Sequence, residues 1–297
     1  VLYNSSVTPA LFPGAITVTA ASTISTTNQI TLSGTISAAA QNLTKTGIGT
    51  LVFTSNSVSV FNFSIAAGTL NAGSSTITIY GAFTNSGAFL PNASTVIFRG
   101  SVSQTIPGVS FYNCTIQNFD GVVLGGDIAI NGILTLTEGI CNTGVYIIDL
   151  GTSGTLVETP INPISYVTGT IKVTRNLLTG VPNTFGNIGV EITENNVNNN
   201  STEVYRVTGT ACMGMGNSGI LRYFTINPTV DVGLQATMKF YYYDHEIVGH
   251  VESNLLIYKS IDNRVTWSAR NPTMRDEATN MLTLANISSF SDWTASD

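Results

Sequence analysis

The segment 244–250 reads DHEIVGH and holds both histidines of the chain beside two carboxylates. In the zinc motif H-E-x-x-H, two imidazoles four residues apart lie on one helix face and bind one metal ion. Here His245 and His250 are five residues apart, Gly249 lies between them, and a run of strand-forming residues precedes them. The two rings are not expected to converge, so the segment indicates a polar hairpin connection, and we predict no metal site.

Acid–base chemistry on a polysaccharide would need clustered carboxylates for calcium and a basic group to abstract a proton. Residues 1–119 contain no Asp, Glu or His, and their only charges are Lys45 and Arg99. The acids of the next stretch are Asp120, Asp127, Glu138 and Asp149. No G-x-S-x-G nucleophile elbow and no Cys/His pairing replaces them. We therefore predict no enzyme, no catalytic residue and no cofactor.

The three cysteines, Cys114, Cys141 and Cys212, lie far apart and form neither a disulfide framework nor a C-x-x-C metal site. Cys114 and Cys141 are expected to act as small core residues. Cys212 lies in the segment 211–215, ACMGM, whose thiol and two thioethers could bind a soft metal such as Cu(I). Buried filler is the interpretation that the sequence favours.

Tyrosines are concentrated at 241–243, where they end a strand-like run with clear alternation. The alternation assigns Tyr242 to a core face and points Tyr241 and Tyr243 to the other face. These two rings are candidates for a subunit contact or for a glycan contact, since sugars stack on aromatic faces.

The amino-acid composition indicates which kind of secondary structure holds these residues. The chain has 297 residues, with 42 Thr, 28 Ser, 28 Asn and 28 Gly, and only 9% are charged, against about 25% in a typical soluble domain. This excludes a helical bundle and favours a β-rich extracellular protein. The net charge of −6 includes no basic stripe, so nucleic acid is not an expected partner. No run of 18 apolar residues occurs, so no membrane-spanning helix is expected.

Charge divides the sequence into two halves, with six charged residues in 1–156 and 22 in 157–297. Pro160 and Pro163 interrupt strand pairing near the break. The first half contains short strand-like runs at 15–20, 29–33, 50–54, 76–80, 95–98, 121–124, 127–130, 133–137 and 146–150. The phrase at 68–73, GTLNAG, returns at 139–144 as GICNTG. Glycine corners and inexact repeats predict a right-handed parallel β-helix over 1–157, with residues 1–20 as an interaction strand or a cap.

The second half contains longer, better charged runs at 170–174, 189–193, 203–208, 221–226, 236–243, 254–259, 265–268 and 281–284. Eight alternating runs at this spacing predict an antiparallel β-sandwich over 165–297. The asparagine-rich segment 194–202 is expected to be a polar loop. The fold class is thus all-β in both halves.

The segment 42–51, NLTKTGIGTL, resembles the L-T-K-x-G-x-G-T-L repeat of autotransporter passenger β-helices. Residues 98–132 are similar to large adhesin-like surface proteins of Bacteroidetes-type bacteria, in which a compact β domain follows whose last strand resembles 287–294. The resemblance implies an extracellular, cell-surface protein, secreted through a signal peptide absent from this chain. It further implies export by the type IX route, with a sorting domain removed near Asp297.

These observations predict a non-enzymatic structural protein of a bacterial surface, either the subunit of a self-assembling filament or an adhesin stalk. A carbohydrate-binding module and a β-helix polysaccharide-active enzyme are the alternatives. A β-helix has open ends, and the first residues are apolar, so a head-to-tail homo-oligomer is the expected assembly, with surface glycans as further partners. The candidate inter-subunit strand consists of Val1, Leu2, Tyr3, Leu11 and Phe12.

Overall fold

A computed structural model of the protein shows an all-β chain and describes residues 1–54, 56–161, 164–212 and 219–297. The chain forms two compact units. The first unit contains Val1–Tyr146 and Val157–Tyr166, and the second contains Ile147–Leu156 and Val167–Asp297. The units therefore interleave along the sequence, whereas charge and proline content predict a single break.

The first unit is a parallel β-solenoid, and the solenoid has about eight turns. The chain visits three sheets in turn, and each coil adds one strand to each sheet. Sheet 1 begins with Leu2–Asn4, Ser22–Thr26, Leu43–Thr46, Phe63–Ile65 and Phe83–Asn85. Sheet 2 begins with Ala10–Phe12, Gln29–Leu32, Thr50–Phe53, Thr69–Asn71 and Ala88–Leu90. Sheet 3 begins with Ile16–Thr17, Ile36–Ala38, Ser57–Val60, Thr76–Ile79, Thr95–Phe98, Asn113–Gln117 and Ile133–Glu138.

The later coils continue the parallel stacking in two further rows. One parallel row consists of Gln104–Ile106, Val122–Leu124 and Cys141–Asp149. A second row consists of Ser110–Phe111 and Ile128–Ile130. Thr155–Val157 is the next strand along the chain. Facing residues are 18 to 22 positions apart, as in Thr95 opposite Asn113 and Leu2 opposite Ile24. Short strands separated by turns, as predicted, thus stack into coils.

Alternation along each strand builds the solenoid core. Val58, Ile77, Val96 and Cys114 occupy one inward column of sheet 3, one residue per coil, and all are buried. Phenylalanines also stack between coils, with ring centroids of Phe63 and Phe83 6.0 Å apart. Each coil buries its apolar residues against its neighbours, so the interior needs no charge.

The corner between sheets 1 and 2 requires glycine. A Cβ atom on Gly49 would lie 1.8 Å from the carbonyl oxygen of Asn28 in the preceding coil. Lys45 lies fully buried beside this corner, and its Nζ donates to the carbonyl oxygens of Thr46, Gly47 and Ala67 at 2.7, 2.9 and 3.1 Å. Burial lowers the pKa of Lys45 below its usual value.

The internal repeat detected in the sequence has one local geometry in both copies. The Oδ1 atom of Asn71 accepts from the backbone N–H of Gly73 at 3.0 Å, and that of Asn142 accepts from Gly144 at 2.9 Å. Cys141 is buried, as is Leu70 in the other copy. The prediction that this cysteine is a small core residue is therefore confirmed.

The second unit contains two antiparallel sheets. Sheet 4 consists, in spatial order, of Val167–Leu177, Asn200–Thr208, Arg222–Pro228, Asp292–Ser296, Leu256–Ser260 and Ser268–Arg270. Sheet 5 consists of Pro182–Asn183, Val190–Thr193, Ala236–Tyr241, Met281–Ile287 and Met274–Asp276. Phe224 of sheet 4 and Phe240 of sheet 5 pack edge to face, with ring centroids 5.1 Å apart. The predicted polar loop 194–202 is wrong at its end, because strand pairing starts at Asn200.

Helical structure in the described part of the chain is confined to 3-10 turns at Phe185–Asn187, Asp244–Glu246 and Glu252–Asn254. Within the same ranges, none of the helical segments is long and apolar enough to cross a membrane.

Candidate ligand-binding groove

A row of outward-pointing side chains follows sheet 3 at the corner where each strand ends. Val60, Ile79 and Phe98 are the last, buried residues of three successive strands. The residue after each of them is Phe61, Tyr80 or Arg99. Because the coils are in register, these three side chains follow one another along the stack. The next coils add Gln117 with Phe119, and then Glu138.

This row lines a groove of about 820 Å³ that lies entirely in the first unit. Ala39 and Ala40 form the end near the second coil, and Glu138 forms the end at the seventh. With strands about 4.8 Å apart, the five steps between these coils give a groove roughly 24 Å long. That length suits an extended chain better than a compact small molecule.

The groove exposes aromatic rings to solvent. Phe119 is 84% exposed and Phe61 is 44% exposed, whereas Tyr80 is half-buried. Large aromatic side chains usually bury most of their area, and exposed rings in one concave site are typical of ligand contacts. The three rings lie on three different coils, so they present separate apolar platforms along the groove.

Polar groups of the groove are available to a ligand. Within residues 1–54, 56–161, 164–212 and 219–297, no hydrogen-bond or ion-pair partner is found for the side chains of Arg99, Gln117 and Glu138 or for the Tyr80 hydroxyl. Together they supply donors and acceptors in a site that also offers aromatic faces. Such a combination can bind hydroxyl-rich chains by stacking and hydrogen bonding.

Two of the few charged residues of the solenoid line the groove. Residues 1–146 carry five charges, at Lys45, Arg99, Asp120, Asp127 and Glu138. Lys45 is buried, so Arg99 is the one cationic side chain that this stretch exposes, and it lies in the groove with Glu138. The low charge of the unit therefore makes these two groups conspicuous.

A buried amide network holds the corner beneath Arg99. The Oε1 atom of Gln104 accepts from the backbone N–H of Gly100 at 2.8 Å, and its Nε2 donates to the carbonyl of Gly81 at 2.6 Å. The Nδ2 atom of Asn118 donates to the same Oε1 at 3.0 Å. These bonds tie three coils together and fix the backbone from which the groove side chains project.

The predicted tyrosine contacts lie in the second unit and do not share a site. Tyr241 is half-buried beside a cavity of about 240 Å³, lined also by Glu191 and Asn187. Tyr243 does not line this cavity. Its ring lies over the guanidinium of Arg222, with 4.5 Å between Cζ and the ring centroid.

The predicted inter-subunit residues form the first coil of the solenoid. Leu2 and Tyr3 belong to the first strand of sheet 1, and Leu11 and Phe12 to the first strand of sheet 2. Each strand pairs with the second coil on one side, and no partner strand lies on its other edge among the described residues. Val1, Tyr3 and Leu11 are 94%, 61% and 64% exposed, whereas Leu2 and Phe12 are half-buried.

Glu246 and His250 of the segment 244–250 make structural contacts within the second unit. Glu246 is fully buried, and its Oε1 lies 2.9 Å from Nη2 of Arg222, which is also fully buried. His250 Nδ1 lies 2.8 Å from Asp297 Oδ1. No group of three or more His, Cys, Asp or Glu residues suited to a metal ion occurs in the part of the chain that the structure describes.

The remaining cysteine, Cys212, is buried. Its two methionine neighbours in the suggested soft-metal segment, Met213 and Met215, lie outside the described residues.

Sequence reasoning named Arg99 and Glu138 only as isolated charges and missed Phe61, Tyr80 and Phe119. A signal was present in the spacing: Phe61, Tyr80 and Arg99 follow one another at intervals of 19 residues. That interval equals the coil repeat of sheet 3 at this point. A search for outward residues at the coil period would have placed them in one row.

No protein-family model, curated protein or solved structure matches this chain.

Proposed function

We propose that this protein is a non-enzymatic, adhesin-type extracellular protein whose solenoid binds a linear glycan along the corner groove. One observation carries the proposal: the row of Phe61, Tyr80, Arg99, Gln117, Phe119 and Glu138, on successive coils of one concave surface. An extended sugar chain advances with each residue by a distance close to the strand spacing of a solenoid. Successive sugars would therefore meet successive coils.

The proposed complex divides the work between two kinds of contact. The rings of Phe61, Tyr80 and Phe119 would stack on the apolar faces of sugar rings. Gln117 and Glu138 would bind hydroxyl groups, because their side chains have spare donors or acceptors. The groove is preformed by backbone pairing, so binding requires little ordering of the protein.

Two features of the architecture and the location of the protein belong to the same proposal. We expect the solenoid to be right-handed and the two antiparallel sheets of the second unit to be a β-sandwich. Secretion to the cell surface is supported by the composition and by the resemblance to adhesin-like proteins.

A glycan array tests the proposal, followed by titration calorimetry with the glycans that bind. The double variant Phe61→Ala/Tyr80→Ala should weaken binding by about tenfold or more, since buried aromatic anchors typically dominate affinity. Tyr112→Ala is the matched control, because Tyr112 is a partly exposed solenoid tyrosine outside the groove. Equal loss in both variants, or no glycan bound at all, would contradict the proposal.

A filament subunit is a second candidate function, and the unpaired strand edges of the first coil favour it. Exposed strand edges pair readily with other strands, and Val1, Tyr3 and Leu11 add apolar surface beside them. Electron microscopy of the purified protein should then show fibres, and Tyr3→Glu/Leu11→Glu should shorten or abolish them. Single particles in the unaltered protein would remove this candidate.

A further inference from the structure

The composition of the groove also selects among glycans. We infer that its ligand is a partly charged linear glycan, with a carboxylate-bearing sugar at Arg99 and an uncharged sugar at Glu138. This inference rests on the proposed function, because it specifies the class of glycan that the same groove binds.

Arg99 indicates the carboxylate. Its guanidinium is exposed, and within the described ranges it has no ion-pair or hydrogen-bond partner. A guanidinium presents parallel N–H donors that match the two oxygens of a carboxylate. Two other arginines, unlike Arg99, have partners among the described residues: Arg222 pairs with Glu246, and Arg175 donates to the carbonyl of Gly151 at 2.6 Å.

The neighbours of Arg99 place the sugar ring. Tyr80 lies one coil before it and Phe119 one coil after it, and both line the groove. A pyranose at this coil would therefore have an aromatic ring on each side along the chain direction. The carboxylate of that sugar would extend sideways to the Arg99 guanidinium. No other cation lines the groove among its described residues.

Glu138 limits the number of charges on the ligand. It lies two coils beyond Arg99, about 10 Å along the stack from the 4.8 Å strand spacing. A second carboxylate on the ligand there would face the Glu138 carboxylate, and Arg99, the one cation among the described residues that line the groove, lies two coils away. A neutral sugar would instead donate hydroxyl hydrogen bonds to it, so a fully carboxylated chain is a poorer ligand than a partly carboxylated one.

The experiment compares three linear hexasaccharides of one backbone and linkage, chosen from the glycans that bind. One is neutral, one carries a single internal uronate, and one carries a uronate at every position. At low salt, the single-uronate form should bind the unaltered protein about tenfold more tightly than the neutral form, as one charge-assisted pair allows. The fully carboxylated form should bind more weakly than the single-uronate form.

Substitutions at two residues separate the contribution of Arg99 to glycan selectivity from that of Glu138. Arg99→Gln should abolish the advantage of the single-uronate hexasaccharide over the neutral one. Glu138→Gln should raise affinity for the fully carboxylated form several-fold, and Tyr112→Ala should change none of the three. Circular dichroism and melting temperature confirm that each variant is folded.

The outcomes distinguish the two proposals. Equal affinity for the neutral and single-uronate forms, or an advantage that survives Arg99→Gln, would overturn the inference and leave glycan binding intact. Failure of every form of every backbone to bind would overturn the proposed function itself.

Discussion

The two units of this protein use charge in different ways. The first unit carries six charged residues and the second unit carries 22. In the second unit, side-chain ion pairs are part of the structure: Lys172 lies 2.9 Å from Glu203, Lys239 lies 2.7 Å from Glu191, and Arg222 is buried against Glu246. In the solenoid, backbone pairing between coils and apolar columns hold the fold together.

A charged residue therefore has a different meaning in each unit. Where ion pairs are common, a charged residue is explained by its partner and gives no hint of function. Where the fold needs no charge, Arg99 and Glu138 remain unexplained by stability and share one groove. Lys45 is the exception that the structure accounts for, since its ammonium binds three carbonyls at a coil corner.

The largest expected effect comes from the solenoid backbone. Gly49→Ala places a Cβ atom 1.8 Å from a carbonyl oxygen of the preceding coil, so the corner must open. We expect a loss of more than about 4 kcal/mol in the free energy of unfolding, measured by urea denaturation. Gly14→Ala is the control, because no atom lies within 4 Å of its added Cβ, and it should change stability by less than about 0.5 kcal/mol.

The buried ion pair should give the next largest effect. Glu246→Leu leaves the fully buried guanidinium of Arg222 without its carboxylate, and should cost about 3–5 kcal/mol of unfolding free energy. The double variant Arg222→Met/Glu246→Leu should recover much of that loss, because it removes the unpaired charge. If both variants were equally unstable, the pair would not explain why these charges are buried.

Lys45 provides a test within the solenoid. Lys45→Met leaves the carbonyls of Thr46, Gly47 and Ala67 without this donor, and should cost about 1–3 kcal/mol at neutral pH. Because burial lowers the pKa of Lys45 in the folded state, the unaltered protein should gain stability as pH rises through that pKa towards the unfolded value of 10.5. The stability gap to the variant should therefore widen with pH. A gap that narrows would contradict the lowered pKa.

The smallest effect belongs to a surface pair of the second unit. Lys239→Met removes the ion pair with Glu191. Both side chains of this pair are partly exposed, so the unfolding free energy should change by only about 0–1 kcal/mol. Thermal and urea denaturation in low and high salt measure this effect. A loss as large as that of Glu246→Leu would erase the distinction between surface and buried pairs.

Much of the fold follows from period-2 alternation and glycine corners. The runs 29–33, 50–54, 76–80 and 95–98 correspond to observed strands within one residue at each end. Strands such as Leu43–Thr46 and Phe63–Ile65 escaped prediction, because they are short and rich in Thr, Ser or Lys. Their stability comes from pairing with coils about 20 residues away, which local patterns do not report.

The groove was harder to predict for a related reason. Phe61, Tyr80 and Phe119 are ordinary aromatic residues in the sequence, and only coil register brings them into one row with Arg99. Reading Tyr241 and Tyr243 from alternation assumed a strand through 243, but the strand ends at Tyr241. Beyond that residue the chain turns, and the Tyr243 ring lies over Arg222.

A crystal structure of the protein with the glycan that binds best would show where the ligand lies. We expect a sugar chain along the solenoid axis in the corner groove, with its rings on Phe61, Tyr80 and Phe119. A glycan bound instead at Tyr241 or elsewhere in the second unit, with the groove empty, would contradict this expectation.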